Sequence, residues 1–372
     1  MDYPDPNLSI ISGIFSEFRT GTGFKSAIRI GSGHINDTYR IRTENRGLNY
    51  VLQRINTSVF KDIPGLMKNI ELVVQYIENK IISGHPDANS YSILRLIPTI
   101  SQSMYFNDNR GNYWRLYNFI EGTKSFDIVE DRELAYKGGG AFGLFQYLTS
   151  GISPESLIET IPFFHDIDKR LDAFNGIINK DPRNRATSLS REITFVKSRE
   201  VEMKKILKLV REKKIPLRVT HNDTKFNNIL FDRNKHAVCI VDLDTVMPGT
   251  VLYDFGDAIR TGANRAAEDE KDLSKVTIDL GLFEAYSTGY LEKAGKFLNQ
   301  QEISHLAFSA KFMTYIIGLR FLTDHIDGDH YFRTLFPGHN LQRARSQFRL
   351  LETMEEKFEQ MKEIIERIVE GI

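Results

Sequence analysis

The sequence of 372 residues has one cysteine, Cys239, one tryptophan, and no excess of either charge, since 49 Lys and Arg balance 49 Asp and Glu. A single thiol excludes a disulfide framework and a thiolate metal cluster. Its setting in the apolar run AVCIVDLD makes it a buried structural residue rather than a nucleophile. Without net charge there is no global field to hold the chain on nucleic acid or on an anionic membrane, and neither partner is expected. No run approaches the ~20 apolar residues of a membrane span. The opening MDYPDPNLSI has neither the basic start nor the apolar segment of a secretion signal, so the expected compartment is the cytoplasm. What is present is an ordinary globular composition, 41% hydrophobic and 26% charged, in a chain too long for one small core. Two lobes are expected.

The segments KSAIRIG (25 to 31), DTYRIRT (37 to 43) and NYVLQRI (49 to 55) are short, partly alternating and separated by Gly, Asn and Glu, the pattern of antiparallel strands. LMKNIELVVQYIENKII follows, with Leu66, Ile70, Val73, Val74, Ile77 and Ile81 at helical spacing behind the start signal Asp62 and Pro64. YSILRLIPTI, SMYFN and NYWRLYNFI complete a small sheet with one helix. After IEGTKSFD the character changes, and amphipathic helices are predicted over about 131–149, 191–214, 281–297, 302–327 and 340–370. Two strand-like pieces interrupt them, NILFD and AVCIVDLDT, joined by the turn RNKH. The reading is an α+β chain in two lobes: a β-rich N-terminal lobe over 1–120, a hinge near Tyr117 to Gly122, and a mainly helical lobe over 121–372. In the last helix Ala344, Phe348, Leu351, Phe358, Met361, Ile365 and Ile368 form one stripe, a dimer seam or a face packed on its own lobe. The imperfect repeat favours the second.

Chemistry concentrates in THNDTKFNNILFD, residues 220 to 232, with the skeleton His221-x-Asp223-x-Lys225-x-x-Asn228. Phosphoryl transfer needs a group to receive the proton of the attacking hydroxyl, a metal to neutralise the phosphates and a cation on the transferred group. Asp223 suits the first task, Asn228 can give an oxygen to Mg²⁺, and Lys225 can meet the γ-phosphate of ATP. Mg²⁺ needs a further hard oxygen, and Asp242 supplies it. The hairpin of NILFD and AVCIVD returns Asp242 to the neighbourhood of Asn228. In the N-terminal part, RIGSGHINDTYRI reads as strand, Gly-containing turn and strand, with Gly31 and Gly33 letting the backbone lie close over phosphates. Asn36 stands where a GxGxxG pattern has its third glycine. Arg54 is the cation placed for the α/β-phosphates, with Glu71 as its expected anchor and Glu78 as a competitor. Asp244 serves either the metal or the turn before Pro248 and Gly249.

Together THNDTKFNN and IVDLDTVMPG resemble the aminoglycoside phosphotransferase and choline kinase group, which has the protein-kinase-like fold. The chain departs from eukaryotic protein kinases, with Asn222 after His221 and Asp242-Leu243-Asp244 in place of DFG, and this points to a small-molecule acceptor. GSGHIN, YVLQRIN, LYDFGDAIR, GLRFLTDHIDGDHYF and HNLQRARSQ narrow the resemblance to the N-acetylhexosamine 1-kinases. It implies phosphorylation of the anomeric hydroxyl of N-acetylglucosamine or N-acetylgalactosamine by Mg²⁺-ATP, with Asp223 as base and Asn228 and Asp242 as metal ligands. It further implies sugar contacts from His34, Asp223, Arg320 and Tyr331, a bracing role for Asp254, and adenine held against backbone near Asn118 to Ile120. Thr261 stands where the family can carry an aromatic against the sugar. Kinases of aminoglycosides, choline or homoserine, and an inactive nucleotide-binding module, are the competing readings.

Overall fold

The computed structural model describes residues 8–30, 35–45, 47–84 and 91–372. The chain divides into two compact units, Met1–Thr123 and Lys124–Ile372. The first unit contains α1 (Leu8–Ser16), β1 (Phe24–Arg29), β2 (Asp37–Thr43), β3 (Asn49–Ile55), α2 (Ile63–Ile82), β4 (Phe106–Asn107) and β5 (Tyr113–Asn118). The strands form one antiparallel sheet in the order β1-β2-β3-β5-β4. Alternation puts Tyr39 and Ile41 of β2, Tyr50 and Leu52 of β3, and Trp114 and Leu116 of β5 into a core that Ile11, Ile14 and Phe15 of α1 close. α2 begins as its sequence signals require: Asp62 accepts a hydrogen bond from the Gly65 N–H, and Pro64 occupies the first turn.

The predicted strand YSILRLIPTI is not one. Residues 91–100 make only isolated bridges at Leu96 and Thr99. Pro98 lacks a donor, and the Asn118 side chain holds the segment instead, accepting from Arg95 N (2.6 Å) and donating to the Ile93 carbonyl (3.0 Å).

The second unit runs α3 (Arg132–Thr149), α4 (Ile167–Lys180), α5 (Ser190–Met203), α6 (Lys205–Arg211), β6 (Arg218–Thr220), β7 (Ile229–Phe231), β8 (Ala237–Ile240), β9 (Met247–Gly249), α7 (Val251–Gly262), α8 (Leu280–Ala294), α9 (Gln300–Ser304), α10 (Leu306–Asp327), α11 (His339–Glu356) and α12 (Phe358–Gly371). The predicted helices 191–214, 302–327 and 340–370 each break in two, at Lys204, His305 and Lys357. α4 and α7 were not foreseen. The stripe on α11 and α12 is buried within its own unit, α11 against α10 and α12 against α8. By length and composition alone α10 is apolar enough to cross a membrane, against the sequence reading, but it is a core helix walled in by α7, α4 and α11.

α3 and α8 pack backbone to backbone. A Cβ on Gly139 would overlap the Tyr286 carbonyl oxygen, and one on Gly289 would overlap the Tyr136 carbonyl. Gly139 of the GGG run in α3 is required for this close approach.

Candidate active site

β6 pairs with β9 and β7 with β8, so two small antiparallel ladders hold the polar loop His221–Asn228 between them. The loop is stitched to the segment that leaves β8. His221 is fully buried, its Nε2–H donates to the Val241 carbonyl at 3.0 Å, and its Nδ1 therefore accepts, taking the Asp223 N–H at 3.3 Å. Burial pushes its pKa down, which keeps this neutral tautomer. Thr245 Oγ1 donates to the His221 carbonyl (2.6 Å), and Asn222 Nδ2 donates to the Thr245 carbonyl (3.0 Å). From α7, the buried Asp254 carboxylate accepts from His221 N (2.8 Å), Asn222 N (2.7 Å) and Gln146 Nε2 of α3 (2.6 Å). Burial pushes its carboxyl up to about 7 against those three donors. Asp254 braces the loop. Phe226 anchors its far end in a slot that only Gly138 and Gly262 leave open, since a Cβ on either would overlap or crowd the ring.

This network over-determines two unusual backbone positions. Asn222 (φ 63°) and Asp242 (φ 62°) are left-handed, a conformation costing roughly 1–2 kcal/mol for an L residue and tolerated best by Asn and Asp. Their effect is to aim the side chains that flank the loop. The Asp223 carboxylate is partly exposed, with Lys225 Nζ 3.0 Å from Oδ1 and Asn228 Nδ2 3.3 Å from Oδ2. Desolvation would raise its pKa, but the Lys225 ammonium outweighs it and holds the carboxyl below the usual range, while Asp223 raises Lys225. Asn228 Nδ2 also donates to the Asp223 carbonyl at 2.8 Å, so its amide nitrogen is committed to the loop and its oxygen faces elsewhere. Val241 N donates to the Asn228 carbonyl at 2.9 Å, which puts Asp242 one residue beyond a paired position. The hairpin thus brings Asn228 and Asp242 together as the sequence spacing requires. A carboxamide and a carboxylate at adjoining strand ends are two hard oxygen donors, the kind of partial shell that suits Mg²⁺, which keeps waters and takes phosphate oxygens. Among the described residues no cluster of three or more His, Cys, Asp or Glu offers a metal site made of such side chains alone. Asp244 is buried behind this edge, its carbonyl accepting from Thr160 Oγ1 (2.9 Å). Cys239 is buried on β8, as its apolar setting requires.

Arg320 and Tyr331 meet each other. Arg320, 8% exposed on α10, donates from Nη2 to the Tyr331 hydroxyl at 3.2 Å. Its guanidinium stacks near the rings of Phe164, Tyr331 and Phe332, and it forms no ion pair with any carboxylate among the described residues. Tyr331 is half exposed and is no core residue. Its loop hangs from Asp324, whose carboxylate accepts the N–H groups of His330, Tyr331 and Phe332 at 2.8 to 2.9 Å. Next to Phe164, His165 places Nε2 3.4 Å from the Asn222 carbonyl, tying this group to the catalytic-type loop. Thr261, in the last turn of α7, turns its hydroxyl back onto the Asp257 carbonyl (3.1 Å) and leaves no aromatic surface. Phe164, His165, Arg170 and Gln146 carried no local motif that sequence reading could use.

In the first unit Arg54 is anchored differently from expectation. Its partner is Asp37, directly opposite on β2 in the sheet register, with Nε donating at 2.8 Å and Nη2 also bonded to the same oxygen. Glu71 instead accepts from Gln75 (3.0 Å) and Glu78 from Arg95 (2.8 Å). A cross-strand neighbour needs no long reach, which is why it displaces the helix carboxylates. At Asn118 the side chain is committed to residues 93–95, whereas Ile120 offers a backbone N–H with no acceptor among the described residues and a carbonyl taken by Thr123 Oγ1 (2.8 Å). Gly31, Gly33 and His34 lie outside the described residues.

An antiparallel sheet unit followed by a helical unit with this loop is the protein-kinase-like arrangement, and comparison bears it out. The model of the phosphotransferase enzyme family matches residues 26–291, most of the chain, and the chain belongs to that family. Among solved structures it is similar to an aminoglycoside phosphotransferase from Alicyclobacillus acidocaldarius, with a TM-score of 0.61 and 13% identity over 100% of this chain and 98% of that one. A choline kinase from Cryptosporidium parvum gives a TM-score of 0.59 and 14% identity over 97% and 99% of the two chains. A spectinomycin phosphotransferase, solved with ADP and spectinomycin, gives 0.54 and 12% over 98% and 99%. At these identities the likeness is one of fold.

Proposed function

We propose that the protein transfers the γ-phosphoryl group of ATP to the anomeric hydroxyl of an N-acetylhexosamine, N-acetylglucosamine or N-acetylgalactosamine, giving the α-1-phosphate. The observation that carries this reading is the Asp223 carboxylate, held ionised by Lys225 at 3.0 Å beside Asn228, with the arginine and aromatic group of Arg320 tied to its loop through His165. A polycationic antibiotic or an amino alcohol needs negative charge around it, and Arg320 without a carboxylate partner repels such a substrate. A neutral sugar needs donors and acceptors, which Asp223, Arg320 and Tyr331 provide. Nucleotide complexes of family-like folds, such as the ADP-bound spectinomycin phosphotransferase, support ATP as the phosphoryl donor.

In the reaction Asp223 receives the anomeric proton as the sugar oxygen bonds to the γ-phosphorus and the bond to the β,γ-bridging oxygen breaks, releasing ADP. An anomeric hydroxyl is more acidic than an ordinary alcohol, so a carboxylate of low pKa suffices late in a loose transition state. Lys225 meets the charge on the transferred group. Asn228 and Asp242 would hold Mg²⁺, which when bound neutralises the phosphate oxygens. In the first unit Arg54, oriented by Asp37, takes the α/β-phosphates, and the adenine lies against the Ile120 N–H near Asn118. Glu71 has no part in orienting Arg54. The cytoplasm, where ATP is made available, is the proposed compartment.

The test is ADP release by the purified protein with Mg²⁺-ATP and a panel of free sugars, aminoglycosides, choline and homoserine, with phosphorus NMR of any product. A sugar 1-phosphate from N-acetylhexosamines is expected. Turnover only with another acceptor would keep the kinase and overturn the substrate, and nucleotide binding without turnover would mark an inactive module.

A further inference from the structure

The motifs DHIDGDHYF, which ends α10, and HNLQRARSQ, which opens α11, close on each other. Asn340 is fully buried, and its Nδ2 donates to Asp324 Oδ2 and to Asp329 Oδ1, both at 2.9 Å. One carboxamide thus gives both its hydrogens to two largely buried carboxylates. Asp324 has three backbone N–H donors besides. The charge of Asp329 is met instead by Arg185, whose Nη1 lies 2.6 Å from Oδ2. His325, 3.7 Å from the other oxygen, supplies no charge there, because burial lowers its pKa. The same Nη1 of Arg185 donates to the His325 carbonyl at 2.6 Å, in the last turn of α10 where helix carbonyls lack intrahelical partners. Arg185 is itself fixed in the turn after α4, with Asp181 Oδ1 accepting from Arg185 N (2.8 Å) and Ala186 N (3.1 Å).

Between α10 and Tyr331 the chain reverses through Gly328 (φ 120°) and Asp329 (φ 63°). A left-handed residue other than glycine persists where its surroundings hold it, and Arg185 with Asn340 on the Asp329 carboxylate is that hold. Tyr331 stands two residues further on, half exposed, with its hydroxyl bonded to Arg320. Its place therefore depends on the turn. We propose that Arg185 is a positioning residue for the phosphoryl acceptor, acting through Asp329 to fix where the Tyr331 side chain stands. The proposal rests on the reading of Tyr331 as an acceptor contact. Without Arg185 a largely buried carboxylate loses its opposite charge, which draws the turn toward water and Tyr331 with it. Lys225, Asn228 and Asp242 are carried by other elements, so the nucleotide side of the reaction is left as it is.

The experiment is steady-state kinetics on the whole protein, varying Mg²⁺-ATP and the acceptor in turn. The acceptor is N-acetylglucosamine, or whichever member of the acceptor panel the unaltered protein phosphorylates best. Arg185→Gln is expected to raise the acceptor KM about five- to ten-fold, with kcat and the KM for ATP each within about two-fold of the parent. Arg185→Lys keeps a cation opposite Asp329 and should recover most of that loss. In a Tyr331→Ala background, adding Arg185→Gln should raise the acceptor KM by less than about two-fold, because the group it positions is gone. Should Arg185→Gln fail to fold, Asp329→Asn takes its place with the same split expected, since asparagine tolerates the left-handed turn but lacks the charge. An unchanged acceptor KM, an equal rise in both KM values, or full additivity with Tyr331→Ala would each overturn the proposal while leaving the kinase reading intact. Absence of turnover by the unaltered protein with every acceptor is a separate result, and it would overturn the kinase reading and the proposal together.

Discussion

Two adjacent glycines of α3 should respond to the same substitution with opposite sign. A Cβ on Gly139 would overlap the Tyr286 carbonyl oxygen and lie 2.9 Å from its carbon and 3.0 Å from Tyr290 N, all backbone atoms of α8. Backbone cannot rotate aside, so the helices must separate, and overpacking of this kind costs about 1–3 kcal/mol. The better helix propensity of alanine returns about 1 kcal/mol at most. At Gly140 the added Cβ would sit 3.7 Å from the Gly289 carbonyl, an ordinary contact, so the propensity gain of roughly 0.5–1 kcal/mol stands alone. Gly139→Ala should therefore be less stable than the parent and Gly140→Ala slightly more. The propensity gain is common to both, so the two should differ by the overpacking cost, about 1–3 kcal/mol, or roughly 2–12 °C in Tm for a unit of this size. Urea unfolding with an unchanged slope is the assay. Equal stability of the two variants would mean that α3 and α8 are not in backbone contact, and that the placement of Gln146 under Asp254 needs another explanation.

His165 supplies a pH test. Burial, with Arg320 beside it, lowers its pKa from 6.5 to about 3. A histidine depressed in the folded state contributes stability that is complete above its unfolded pKa and lost as pH falls toward the folded value. The unfolding free energy should fall between pH 6.5 and 3, by up to about 5 kcal/mol from this group at 1.36 kcal/mol per unit. His165→Gln should flatten that part of the profile, and an unchanged slope would show that the ring titrates freely. In the first unit, Asp37→Ala should release Arg54 and raise the KM for ATP several-fold with a smaller effect on kcat. Glu71→Ala should change neither, and the opposite pattern in steady-state kinetics would restore the helix carboxylate as the anchor.

The fold class and the loop were legible because their signals are local. Alternation in β2 and β3 and the period of α2 follow directly from apolar spacing. The distance from Asn228 to Asp242 is set by one hairpin. α7 escaped because Asp254, Asp257 and Arg260 are buried among its apolar residues, Asp254 satisfied by distant Gln146, and Arg260 by Asp257 within the helix, by nearby Glu268 and by distant Gln347. Its polar core positions mask the helical period. α4 did carry a signal, with Asp166 as cap and Ile167, Leu171 and Phe174 buried at helical spacing. The breaks at Lys204, His305 and Lys357 have neither glycine nor proline to mark them. The partner of Arg54 depended on which residue strand register placed opposite, and the group at Arg320 on three segments meeting, neither of which is written in any one stretch.

The central claim is that Asp223 accepts the proton of the acceptor hydroxyl. Its most direct test is Asp223→Asn, measured side by side for turnover and for nucleotide binding. Asparagine keeps the shape and its hydrogen bond to Asn228 but cannot take a proton, so kcat should fall at least about a hundred-fold while ATP affinity stays within about two-fold. Turnover near that of the parent would remove Asp223 from the base role and contradict the account.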